Sequence, residues 1–362
     1  MGSKFTVADT PEKLTPAWLT SVLVASGHLD QGSVAELTFT PVGTGQMSDS
    51  IRLGIRYDRP VDAPATLVAK FPSADEATRA TGKSLRSYEI EVRFYQELAS
   101  RLPMRTPSVF HADIDLESAA FVLLLEDLAP ARQGDQLSGC SPEVAKIAVD
   151  ELVKLHAPFW GDPVLDSFEW LNRDFDTRQR LMAVLLPMLW DGFCDRYDAD
   201  LGPDVHRAGE ALFADLETYL LARTQPWSIV HGDYRLDNLL FDPEPGSTGV
   251  AVVDWQTCTH GPALQDVAYF IGAGLHPDER REAEDELVRG YYAGLVASGV
   301  SDYTWERCWH DYRRGTMAGF IMAIVASMLV ERTDRGDQMF LTMAARHALH
   351  ALDLDAASTF GS

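Results

Sequence analysis

Apolar residues first recur at helical spacing: Leu14, Trp18, Leu19, Val22 and Leu23 share one face of residues 11–28, with Thr15-Pro16 as a start signal and Gly27 as a stop. From residue 34 the period shortens to two. Residues 34–39 and 51–57 read as strands, separated by a polar, glycine-containing loop at 43–50. A third strand, T-L-V-A-K-F at 66–71, carries Lys70 as its only charge. Helical spacing returns at 84–102 through Leu85, Tyr88, Val92, Phe94, Tyr95 and Leu98, and strands at 107–115 and 119–125 follow. The pattern up to residue 127 therefore predicts a small five-stranded sheet with one helix, plus the lead helix.

Beyond residue 130 the pattern is mostly helical. Ser141-Pro142-Glu143 opens a helix that reaches His156, residues 163–203 carry an interrupted helical pattern, and 204–223 carry another helix. Three short apolar runs follow, Ile229-Val230, Leu239-Leu240-Phe241 and 250–253, with a turn rich in Pro, Gly and Ser at 242–249. The charged run 278–286 predicts a solvated helix face. Two long helices, at 303–331 and 337–354, carry Met317, Met322, Met328, Met339 and Met343. The longest uncharged run, 315–330, is shorter than the roughly 20 residues needed to span a bilayer and reads as a buried helix.

A chain of 362 residues has room for two lobes, and the change of pattern divides it into 1–127 and 128–362. Its net charge of −23 repels nucleic acid and anionic membranes, so neither is an expected partner. The four cysteines are widely spaced and form no C-x-x-C, which reads as free thiols in a reducing, cytoplasmic setting without a structural zinc. No secretory signal is visible, and residues 1–6 fit the short N-myristoylation pattern, which alone does not establish a lipid.

The chemistry concentrates at the ends of the short apolar runs, where Asp233, Asn238 and Asp254 sit on loops held by buried strands. Protein kinases carry H-R-D-x-x-x-x-N followed by D-F-G, in which the first Asp takes a hydroxyl proton and the Asn and second Asp hold magnesium. His231, Asp233 and Asn238 keep that spacing, and Asp254-Trp255-Gln256 stands where D-F-G would stand. Taken singly, a satisfied buried His, a turn-capping Asp and a loop Asn would also explain these residues. With Lys70 upstream in an apolar strand, the ordered set resembles the aminoglycoside phosphotransferase and choline kinase superfamily. The D-W-Q form and G-P-A-L-Q-D-V-A-Y-F at 261–270 are most similar to its ecdysteroid kinase-like branch and related bacterial phosphotransferases.

That resemblance implies an α+β, bilobal protein-kinase-like fold, with a five-stranded antiparallel sheet plus helix in a small N-terminal lobe and a larger, mainly helical C-terminal lobe. It implies a phosphotransferase that uses ATP and Mg2+ to phosphorylate the hydroxyl of a small-molecule alcohol. Nucleotide contacts fall on Lys70, on Glu91 of E-V-R-F-Y as its orienting partner, on Ser48 of the glycine loop, and on the hinge at 123–128 through Glu126 and Leu128. Glu89, on a different face of the helix, is the runner-up to Glu91. Asp233 orients the acceptor hydroxyl, Arg235 contacts the transferring phosphate, and Asn238 and Asp254 hold metal. Asp266 braces the catalytic loop, and His156 is structural. The chain departs from the kinase pattern in lacking G-x-G-x-x-G and in placing Gln256 where D-F-G has Gly.

Three alternatives stand beside this reading. A metal-dependent hydrolase would ligate its metal through His231, Asp233, Asp254 and His260 but has no use for Lys70. A nucleotide-binding regulator would lack turnover, and a protein kinase would need an A-P-E segment after Asp254, which is missing. The methionines of the last helices, read most simply as core, also suit a lipophilic or hydroxylated acceptor. An aminoglycoside or choline-type acceptor would call for carboxylates in its pocket.

Overall fold

The computed structural model describes residues 7–43, 47–173, 175–223, 225–244 and 249–361. The acylation pattern at 1–6 and Thr44, Gly45 and Gln46 of the glycine loop lie outside the described residues. Contacts divide the chain into one unit of Met1–Arg101, Arg105–Pro130 and Val253–Gln256 and a second of Leu102–Met104, Ala131–Val252 and Thr257–Ser362.

The first unit starts with α1 (Pro16–Ala25). Thr15 Oγ1 accepts the Trp18 N–H at 3.1 Å, and Gly27 turns the chain out at φ +75°. Strands β1 (Val34–Pro41), β2 (Ser48–Tyr57), β3 (Thr66–Pro72), β4 (Val109–Asp115) and β5 (Ala120–Glu126) form an antiparallel sheet in the order β1-β2-β3-β5-β4. Alternation along β3 places Leu67, Ala69 and Phe71 in the core that Leu19, Val22 and Leu23 of α1 complete. Lys70, on the opposite face, pairs in register with Ser50 of β2 and Leu123 of β5.

The helix expected over 84–102 starts only at residue 87, and a helix that the sequence reading did not expect precedes it. Helix α2 (Glu76–Ser84), capped by Asp75, is followed by α3 (Ser87–Glu97), and Arg86 between them takes a left-handed φ of +61°. One positive-φ residue breaks the hydrogen-bond ladder that the uninterrupted apolar spacing had suggested. The loop expected at 43–50 is also shorter, because Ser48, Asp49 and Ser50 already belong to β2.

The second unit is mainly helical: α4 (Pro142–His156), α5 (Glu169–Asn172), α6 (Phe175–Tyr197), α7 (Pro203–Phe213), α8 (Leu216–Leu221), α9 (Leu264–Gly274), α10 (Pro277–Ala297), α11 (Trp305–Leu329) and α12 (Asp334–Asp353). Short strands β6 (Arg132–Gln133), β8 (Leu239–Phe241) and β9 (Val250–Val252) form a three-stranded antiparallel sheet, and β7 (Ser228–Val230) pairs with β10 (Thr259–Gly261). Met317, Met339 and Met343 are buried in the main core, with Met322 and Met328 packed against it.

The imidazole of His347 on α12 lies between Gly272 of α9 and Gly319 of α11. A Cβ at Gly272 would stand 2.7 Å from its Nδ1, and one at Gly319 would stand 2.1 Å from its Cε1. The charged run 278–286 is not wholly solvated. Arg280 and Glu284 are buried, where Arg280 pairs with Glu284 and Asp353, and Glu284 also meets His350 and Tyr312. Helical spacing turns this side of α10 inward, and the mutual pairing satisfies charges that burial would otherwise penalise. Among the described residues no helix is long and apolar enough to cross a membrane, and all four cysteines are free.

Candidate active site

In the first unit the site is built on β3 and α3. Lys70 Nζ lies 2.6 and 2.8 Å from the Glu91 carboxylate oxygens and 3.0 Å from Asp254 Oδ1. Burial acts to depress the Lys70 ammonium, but Asp254 and Glu91 outweigh it and hold the lysine charged, above its ordinary value. Burial, with Asp254 nearby, raises the Glu91 carboxyl, while Lys70 pulls it back. One ammonium is thus shared by two carboxylates. Glu89, the other acid on this helix, turns instead to Arg86 at 2.9 Å.

Asp254 sits at φ +68°, a left-handed conformation that few residues other than glycine adopt, and Gln256 Nε2 donates to its second oxygen at 3.3 Å. The indole of the intervening Trp255 stacks on Phe94 of α3 with ring centroids 3.8 Å apart and planes at 7°. That contact seats the D-W-Q segment on the same helix that carries Glu91.

Ser48, the first residue of β2, is buried and pairs with Pro72, two register positions from the Ser50–Lys70 pair. The Glu126 side chain is turned away from the hinge backbone: its carboxylate takes a bidentate bond from Arg105 and the Ser108 N–H, and its own N–H bonds Ser108 O. The neighbouring Leu128 is buried, and its N–H takes no protein acceptor among the described residues. A backbone N–H without a protein acceptor fits the acceptor edge of a purine base.

In the second unit, β7 delivers the loop His231–Asn238. Asp266, in the first turn of α9, accepts the backbone N–H of His231 at 2.7 Å and of Gly232 at 2.9 Å. Gly232 stands at φ +82°, and a Cβ there would meet Thr257 O at 2.7 Å, so this backbone excludes the arginine that protein kinases place between His and Asp. His231 Nδ1 accepts the Asp233 N–H at 3.3 Å, and His260 Nδ1 meets Asn172 Oδ1 at 2.8 Å. Among the described residues, no three His, Cys, Asp or Glu side chains gather as a metal-ligand cluster.

Asp233 holds three side-chain donors. Its Oδ2 accepts Asn238 Nδ2 at 3.0 Å and Arg235 Nε at 3.1 Å, and its Oδ1 accepts the Tyr269 hydroxyl at 2.6 Å. Asn238 Nδ2 also bonds Asp233 O at 2.9 Å, which leaves the amide oxygen as the remaining polar atom of that side chain. An amide oxygen and a carboxylate are hard donors of the kind magnesium takes. Arg235 gives Nη1 to Asp237 at 2.5 Å and to Met339 Sδ at 3.1 Å, and its Nη2 has no partner among the described residues.

Sequence reasoning passed over two residues here. Asp237, next to Asn238 in the sequence, is buried and accepts the Gln136 N–H at 3.0 Å, Arg235, and Arg335 of α12 at 3.2 Å. Although burial works against it, Arg335 and Arg235 hold its carboxyl below the ordinary range. Tyr269 lay within the motif at 261–270 without an assigned task. An O–H at helical spacing from Asp266 was its only signal.

The model of the phosphotransferase enzyme family matches residues 56–307 of this chain. Among curated proteins, acyl-CoA dehydrogenase family member 10 of Mus musculus is 51% identical over 49 residues, which are 14% of this chain, and the chain spans 4% of that relative's length. Among solved structures, choline kinase from Cryptosporidium parvum Iowa II aligns at a TM-score of 0.53 and 9% identity, covering 92% of this chain and 94% of that one. Plasmodium vivax ethanolamine kinase aligns at 0.51 and 10%, covering 86% and 82%. At such identities these two likenesses speak to the fold, which is bilobal and protein-kinase-like.

Proposed function

The chain belongs to the phosphotransferase enzyme family, and on that premise we propose that it transfers the γ-phosphoryl group of ATP, with Mg2+, to the hydroxyl of a lipophilic or hydroxylated small molecule. The observation that carries this reading is the buried Lys70 ammonium gripped by Glu91 and Asp254. Lys70 binds the α and β phosphates, and the backbone of Glu126 and Leu128 meets the base. Asn238 and Asp254 hold the metal, and Arg235 presents its free Nη2 to the phosphoryl group. Magnesium-bound ATP supplies an electrophilic phosphorus whose developing charge the metal spreads. Asp233 orients the acceptor hydroxyl and takes its proton.

Support for a lipophilic acceptor comes from Leu181, Val184, Leu185 and Met188, which stand exposed at helical spacing on α6. The mouse relative's name refers to acyl-CoA, and acyl thioesters that also bear a hydroxyl are therefore one class to try. A cavity of about 520 Å3 between α6, α7 and α8 favours a second reading, an amine-bearing acceptor of the choline or aminoglycoside type. There Asp191 and Glu210 accompany Trp190 and Phe213.

The test is ATP consumption with Mg2+ across aminoglycosides, choline, sterols, hydroxyacyl thioesters and sugars, with Asp233→Ala as control. One class should turn over, and the control should lose about a hundred- to ten-thousandfold in kcat. A control with near-normal turnover would remove Asp233 from this role, and a protein that binds no ATP by calorimetry would end the kinase reading.

A further inference from the structure

We propose that Tyr269 is a positioning residue for phosphoryl transfer, fixing which lone pair of Asp233 meets the acceptor hydroxyl. This rests on the reading of Asp233 as the group that takes the acceptor proton. A carboxylate can rotate about its Cβ–Cγ bond, and a rotated oxygen would present its proton-accepting lone pair along a different line. Arg235 and Asn238 both bind Oδ2, at 3.1 and 3.0 Å, and by themselves leave Oδ1 open to compete for the same donors. The Tyr269 hydroxyl donates to Oδ1 at 2.6 Å. Two oxygens with separate donors cannot exchange without breaking hydrogen bonds to a charged group.

The tyrosine is itself held. Its ring is buried, lies 5.2 Å from that of His347, and projects from the helix whose Asp266 fixes the backbone of His231 and Gly232. One face of α9 thus sets both the backbone of the catalytic loop and the carboxylate on it. Burial and the Asp233 charge push the Tyr269 phenol well above its ordinary value, so the O–H stays a donor throughout. During transfer the acceptor proton passes to Asp233 while the acceptor oxygen bonds phosphorus, and Tyr269 keeps its own proton.

The test pairs kinetics with spectroscopy of the free protein. Tyr269→Phe, which keeps the ring, should lower kcat roughly ten- to a hundredfold, the effect of losing a hydrogen bond to a charged group, with KM for ATP and acceptor changed less than about twofold. In an Asp233→Ala background the same change should cost nothing further, because the residue acts through Asp233. In the free protein, a low-field hydroxyl proton resonance should vanish in Tyr269→Phe and move in Asp233→Asn. An unchanged kcat in a folded Tyr269→Phe protein, or equal losses with and without Asp233, would overturn the assignment while leaving the kinase reading intact. If the wild-type protein shows the resonance but transfers phosphoryl to no alcohol, the kinase reading falls, and the positioning role of Tyr269 with it.

Discussion

Two glutamates on one helix separate structure from function at the scale of single residues. Glu91 closes on Lys70, whereas Glu89 closes on Arg86. Removing Glu91 leaves Lys70 to Asp254 alone, so Glu91→Ala should lower kcat/KM for ATP roughly ten- to a hundredfold, in line with loss of a buried, hydrogen-bonded charge partner. Glu89→Ala should change the same constant by less than about threefold, since an i,i+3 pair contributes only a few tenths of a kcal/mol. Steady-state kinetics on the two variants decides it, and equal losses would mean that α3 rather than one carboxylate matters.

At the scale of elements, the glycines facing His347 yield a prediction about packing. Gly319 lies in the middle of α11, where alanine is ordinarily the better helix former. Here an added Cβ would meet the imidazole at 2.1 Å, with Gly272 on the other side of the ring preventing retreat. Gly319→Ala should therefore destabilise by about 1–3 kcal/mol, read from chemical denaturation, against a propensity gain of under about 1 kcal/mol. The strands of the small sheet are legible in the sequence because short apolar or alternating runs there are bounded by turn residues. The break at Arg86 is not, since a left-handed φ at an arginine leaves no mark in an apolar pattern. Motif residues of the site stand close together in sequence. Tyr269, Arg335 and Gln136 reach Asp233 or Asp237 across separations of 36, 98 and 101 residues, and no local pattern reports such partners.

For the whole molecule, buried histidines contribute to the response to acid above the carboxylate range. Burial, together with His350, Arg346 and Arg280 nearby, depresses His347 well below its ordinary value of 6.5, so it stays neutral in the folded protein. Once unfolded it takes up a proton below 6.5, and stability is lost as pH falls from there, by up to about 1.4 kcal/mol per unit for this one group. Denaturation between pH 7 and 5 should show a loss of stability to which the depressed His111, His260 and His350 also contribute, and His347→Gln should make it shallower. Glu284, held down to about 2 by His350 and Arg280 against its burial, keeps its contribution until the pH drops below 4.5, and so lies outside that window.

The segment Val253–Gln256 belongs with the sheet of the first unit although the chain on either side belongs with the second. A gene cut after Pro130 would consequently yield no autonomous half. The shorter fragment would leave Phe94 bare where Trp255 stacks and Lys70 one carboxylate short, and the longer would carry an unseated tryptophan and aspartate on an exposed tether. Complementation of the two pieces in trans would require the second fragment to insert four residues into the first, which makes this chain poorly suited to split-protein reassembly and resistant to shuffling of its N-terminal sheet between relatives.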